Sequence, residues 1–119
     1  MVELALSLVI LMLIVYGITE FSRVMYVKNR LSYAAREGAR AAVVSAQVNA
    51  FGAATAAALN VYPGTVVSMS PLYQVPGSGA PVTVTVRINF ATVVPHLSAS
   101  FAIFNNILLT GEATMRYEQ

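Results

Sequence analysis

Few residues in this chain are equipped for covalent chemistry. It has one histidine, His96, no cysteine, and five acids, all glutamates: Glu3, Glu20, Glu37, Glu112 and Glu118. Without cysteine there is neither a disulfide nor a thiolate metal site. A nucleophile–base–acid relay would have to be built around His96, which follows Pro95 in an apolar stretch with no acid beside it. Serines and threonines are numerous but lack a base. The run Gly77–Ser78–Gly79 lacks the strand before and the helix after that a phosphate-binding loop requires. The sequence therefore predicts no enzyme, no cofactor and no metal. The residues whose types and spacing stand out are charges set in greasy surroundings. They are Glu3 at the head of an apolar run, and Glu20, Arg36, Glu37 and Arg40 around a tract of alanines.

Composition explains why such charges matter. Of 119 residues, 57% are hydrophobic and 10% charged, against about 25% charged in an ordinary soluble domain. A net charge of +2 and the lack of a basic run interleaved with aromatics argue against nucleic-acid binding.

The elements that position these charges follow from the pattern. Leu4 to Thr19 carries no charge; as a helix it spans roughly 24 Å, slightly short of a bilayer core of about 30 Å. Tyr16 and Phe21 suit the interface. No basic n-region or cleavage site marks it as a signal peptide, so the expectation is a membrane anchor. Arg23, Lys28, Arg30, Arg36 and Arg40 all follow the run, and no Lys or Arg precedes it. The positive-inside rule would then place the C-terminal part in the cytoplasm, unless a basic leader once preceded residue 1 and has been removed. No proline interrupts residues 19–45. One helix from about residue 2 to about residue 46 is expected, about 65 Å long. That is too long to fit within a domain of this size, whose radius of gyration is about 13–14 Å.

The rest reads as a small α+β head. An alanine-rich second helix is expected near 48–60 and is stopped by Pro63 and Gly64. Strands are expected near 64–70, 82–91 and 107–118. Val82, Val84, Val86, Ile88 and Phe90 alternate with Thr83, Thr85, Arg87 and Asn89; Ile107, Leu109, Gly111, Ala113, Met115 and Tyr117 alternate likewise with polar partners. Such alternation indicates half-buried antiparallel strands. Their apolar faces need a cover, and the C-terminal half of the long helix supplies it. Arg87 and Glu112 share the polar side and are placed to pair. Residues 75–81 signal a turn. The apolar segment 92–106 needs burial for Phe101, Ile103 and Phe104, by a short helix at 97–105 or by packing on another subunit. The predicted organisation is a membrane or filament-core helix, 1–22, followed by the head, 23–119.

The stretch Ser32–Ala42 poses the sharper question. Ala34, Gly38 and Ala42 are spaced by four, as are Ala35 and Ala39. Small residues at that spacing let helices approach closely. Two uses remain open: packing helix against helix between subunits, or packing beneath the chain's own sheet with the charges in water. On the first, Arg36 and Arg40 repel mildly, Glu37 relieves part of that, and pairing between subunits or with Glu20 fixes the register.

An acid near the start of an apolar helix, an amphipathic continuation and a small sheet together resemble a type IV pilin or pseudopilin, and more closely the TadE-like pilins of tight-adherence systems. The runs VELALSLVILMLIVYGITEFSR, AAREGARAA and LTGEATMRYE carry the resemblance, at both ends of the chain more than in the middle. It implies a prepilin peptidase that removes a short basic leader after a glycine, which also settles the orientation. It implies a precursor in the inner membrane, pilus assembly machinery as partner, and self-assembly into a helical homopolymer. The resulting filament would lie outside the cell and serve adhesion. In that family the acid is usually fifth in the mature chain; here Glu3 is third and no glycine precedes it. By the resemblance, Glu3 pairs with a free ammonium at Met1, its own or a neighbour's, in an apolar core where an unpaired charge is costly. The alternative is a single-pass membrane pseudopilin, or an envelope-complex component, that never forms the filament body.

Overall fold

A computed structural model describes residues 1–45, 47–72, 79–91 and 107–116. Its first element is a helix, α1, Val2–Val44. After a short 3₁₀ turn, Gln47–Asn49, come a second helix, α2, Ala50–Val61, and the strands β1, Val66–Ser70, β2, Pro81–Phe90, and β3, Ile107–Arg116. The strands form one antiparallel sheet in the order β1-β2-β3. The expected class, a long N-terminal helix with a short second helix and a three-stranded antiparallel sheet, is the class observed.

The molecule measures 73 × 21 × 20 Å, with a radius of gyration of 19.9 Å, well above the ~13.5 Å of a compact chain this long. The excess is the first half of α1, which stands clear of everything else. Residues 2–15 are all exposed, and the first buried side chain on α1 is Val27. From there the buried positions run Val27, Leu31, Ala34, Ala35, Gly38, Ala39 and Ala42. Their steps of three and four place them on one face of a 3.6-residue helix.

Two layers meet on that face. The sheet contributes Val82, Val84, Val86, Phe90, Leu109 and Met69, the apolar half of each alternating strand. Helix α2 contributes Ala50, Ala54 and Ala58 and runs back along α1. Gly38 lies against Ala54 and Ala58, and Arg30 lies against the far end of α2 at Val61. The helix ends where Tyr62 extends, and Gly64, at φ 83°, takes the turn that a β-carbon would strain.

Close approach of backbones governs this core. A β-carbon on Gly111 would lie 2.5 Å from Leu31 O and 2.7 Å from Ser32 N, inside atomic contact. Strand β3 therefore rests on the helix backbone itself. A β-carbon on Gly38 would stand 3.1 Å from Ala54 O and 3.3 Å from Val84 Cγ1. The polar side of the sheet is a Ser/Thr surface, with Thr83 and Thr114 hydroxyls 2.9 Å apart and Ser68 Oγ donating to Thr85 O. Arg87 faces Val66 and Thr110, whereas Glu112 faces Thr85. The two are diagonal neighbours, two residues apart in register, and among the described residues no ion pair joins them. The expectations for residues 92–106, His96 and Tyr117–Glu118 lie outside the described residues, as does most of the expected turn.

Candidate functional site

The chain's most unusual surface is the exposed half of α1. Large aliphatic residues are open on all its sides: Leu4, Leu6, Val9, Ile10 and Leu11 are each at least 54% exposed. Three serine and threonine hydroxyls also lie on this stretch, and each is turned inward to the helix. Ser7 Oγ donates to Glu3 O at 2.8 Å, Thr19 Oγ1 to Val15 O at 2.9 Å and Ser22 Oγ to Ile18 O at 2.9 Å. Each of these hydroxyls is thus satisfied within its own segment, the condition for such groups in a medium without water. Nothing in the apolar pattern alone announced these bonds, although Ser or Thr inside a helix regularly accepts this option. The shaft is long and apolar enough to cross a membrane.

Glu3 sits in the first turn of α1, fully open. Among the described residues no ion pair joins it to the Met1 ammonium or to any other cation. A negative charge here faces the unsatisfied N–H groups of the helix start, which favour it.

Where the shaft enters the head, the polar residues interlock. Glu20, with only 16% of its side chain exposed, accepts from Tyr16 Oη at 3.4 Å and forms an ion pair with Arg23 at 3.4 Å. The Arg23 guanidinium also stands over the Phe90 ring, 5.1 Å from its centroid, a cation–π contact. An open groove of about 450 Å³ lies beside this cluster, lined by Thr19, Ser22, Arg23, Tyr26, Val27 and Tyr62. Next along α1, Arg30 Nη2 donates to Val61 O at 2.9 Å. It satisfies one of the carbonyls that a helix end leaves without a partner. Arg30 and Val61 are 31 residues apart, so no local pattern in the sequence points to the pair.

Residues 1–40 match the TadE-like protein family. The TadE-like segment thus spans the whole shaft and most of the buried half of α1, and α2 and the sheet lie beyond it. The match agrees with the resemblance carried by the N-terminal motifs. Neither a curated protein nor a solved structure matches the chain.

The alanine-rich end of the TadE-like segment has a definite place. Ala34, Ala35, Ala39 and Ala42 are 0% exposed, and Gly38 is buried with them, all against the chain's own α2 and sheet. The helix–helix packing they make in this chain is α1 on α2. The charges of the tract lie on the opposite side: Arg36 and Arg40 are exposed and Glu37 half-buried. Among the described residues none of these three forms an ion pair, whereas Glu20 is held within its own chain by Arg23 and Tyr16.

Proposed function

We propose that this chain is a structural subunit of an extracellular Tad-type filament that polymerises through its N-terminal helix. One observation carries the reading. Residues 2–26 of α1 form an uninterrupted helix with no buried residue, about 37 Å long, rooted in a head that buries the other half. Each fully covered Leu, Ile or Val contributes about 1.5–3 kcal/mol, so an aqueous shaft of this kind is driven into lipid or against copies of itself. Lipid serves the subunit in the inner membrane before assembly; other shafts serve it afterwards. The sheet's Ser/Thr face then forms the outer surface, available for adhesion. The role is structural and involves no catalysis, cofactor or nucleic acid.

Within that reading Glu3 neutralises the Met1 ammonium of its own or a neighbouring chain once both leave water, since an unpaired charge at such a depth is costly. Arg36, Glu37 and Arg40, with Glu20, supply charge pairs between subunits that fix the register. The partners are further copies of the chain, a prepilin peptidase and the pilus assembly machinery. The second reading, a single-pass pseudopilin or envelope-complex component, is favoured by the same helix being long enough for the bilayer. Fractionation separates the two. The filament reading expects the chain in sheared surface material with a processed terminus close to Glu3. Recovery only with membranes, unprocessed, would leave the envelope reading.

A further inference from the structure

The open groove where the shaft enters the head has a chemistry of its own. Thr19, Ser22, Arg23, Tyr26 and Tyr62 line it with polar side chains, and Val27 is its one apolar wall. Thr19 and Ser22 already donate to carbonyls of their own helix. The donors around the opening are therefore the Arg23 guanidinium and the phenols of Tyr26 and Tyr62. Arg23 keeps 43% of its side chain exposed, and its contacts with Glu20 use only Nη1 of its donors. Among the described residues no acid lines the groove, since Glu20 is turned to Tyr16 and Arg23. Residues 19–31 carry three cations, Arg23, Lys28 and Arg30, against this one paired acid.

Spacing along α1 extends the groove in both directions. Thr19, Arg23, Tyr26 and Arg30 follow one another by steps of four, three and four, which keeps them on one helix face. Arg30 is held at Val61 O, next to Tyr62, so a second guanidinium stands at the head end of the groove. Towards the N-terminus the same steps run through Val15, Met12 and Leu8, which are 51%, 59% and 49% exposed. One face therefore carries an apolar track that leads into a cationic, hydroxyl-lined opening. Depth agrees with this order. A shaft that crosses a bilayer from Val2 reaches Ser22 after about 30 Å, the thickness of the hydrocarbon core at about 30 Å. The groove then stands at the level of the phosphates, where tyrosines and arginines also settle.

We infer that this groove binds the phosphate of one anionic phospholipid, held between Arg23 and Arg30 with Tyr26 and Tyr62 as hydroxyl donors, while an acyl chain lies along Val15, Met12 and Leu8. Charge selects the headgroup: the unpaired cations favour a lipid of net negative charge over a zwitterionic one. The apolar track selects a lipid over a free phosphate. The inference rests on the shaft lying in a bilayer, which the filament-subunit reading requires before assembly and the single-pass reading requires throughout.

The test titrates the full chain in detergent with phosphatidylglycerol or phosphatidylcholine and reads bound lipid by native mass spectrometry. One phosphatidylglycerol per chain is expected, bound about tenfold or more tighter than phosphatidylcholine. Ser22→Asp places an acid in the groove at an exposed position. It should weaken phosphatidylglycerol by about tenfold or more and leave the melting temperature unchanged. Tyr26→Glu, at a second exposed lining position, repeats the test where Ser22→Asp alters the melt. Arg36→Gln with Arg40→Gln removes two exposed cations farther along α1 and should leave lipid binding as it was. Equal retention of the two lipids overturns the inference, as does an equal loss from the Arg36 and Arg40 changes, which would make the effect one of net charge. Displacement of the lipid by excess inorganic phosphate overturns the choice of a lipid over a free anion. Flotation with phosphatidylcholine vesicles separates the two levels of the argument. A chain that stays with the vesicles but shows no lipid preference loses the site alone; a chain that does not associate with them loses the membrane stage and the site with it.

Discussion

The two halves of α1 are one unbroken helix made from different alphabets. The first half presents Leu, Ile, Val and Met on every side and buries none of them against its own chain. The second half buries one face and makes most of that face alanine or glycine. The difference follows from what each half meets. Long aliphatic side chains suit a neighbour that can interdigitate, such as lipid or another large-residue helix. The buried half instead meets backbone: β3 lies on Leu31 and Ser32 through Gly111, and α2 lies on Gly38 through Ala54. With neighbours that close only small side chains fit, and packing at interior density leaves no slack. The smooth tract, for which the sequence leaves subunit packing and burial beneath its own sheet equally open, is in this chain the seat of its own head.

The largest expected effect tests that closeness. Gly111→Val drives a branched side chain into the α1 backbone and should cost about 3 kcal/mol or more, unfolding much of the head in a thermal melt of the detergent-solubilised chain. A melting temperature within the error of wild type would break the claim that β3 rests on helix backbone. The next comparison uses one chemistry in both halves. Leu31→Ala, at a fully buried site, should destabilise the head by about 2–5 kcal/mol. Leu8→Ala, on the open shaft, should change head stability by no more than about 0.5 kcal/mol. Equal losses in denaturant titrations would show that the halves are not separate environments.

A smaller effect sharpens the same contrast with glycines. Gly38→Ala gains helix propensity but crowds Ala54 O, and should destabilise by about 1 kcal/mol net. Gly17→Ala, with open space around it, should raise helix stability by about 0.5–1 kcal/mol. Opposite signs in paired melts are the expected result. Smallest of all, Arg30→Met removes the donor to Val61 O while keeping an aliphatic stem, and should cost about 0.5–1 kcal/mol. Hydrogen exchange should localise that loss to the last turn of α2; protection there equal to wild type would remove Arg30 from its capping role.

Much of this was legible in sequence because it depends on periodicity. The spacing of Ala34, Ala35, Gly38, Ala39 and Ala42 marked part of the helix face, and the alternation from Val82 to Phe90 and from Ile107 to Met115 marked the sheet and its buried side. What was not legible depends on chain reversal. The bond from Arg30 to Val61 and the stacking of Arg23 on Phe90 join residues distant in sequence, and no local spacing encodes them. Gly111 is intermediate. A glycine on the apolar side of a strand signals close backbone approach, but only the fold shows that the backbone is α1. The partner of the alanine tract was undecidable for the same reason, since small spacing reports closeness without saying to what.

The account's central claim is that the open half of α1 is covered by other copies of the chain. Cryo-EM of filaments sheared from native cells, with mass spectrometry of the subunit's N-terminus, tests it most directly. The account predicts a helical polymer of this chain with residues 2–26 packed together in its core and the Ser/Thr face of the sheet outward. Filaments without the chain, or the chain confined to membranes with its shaft in lipid, would contradict it.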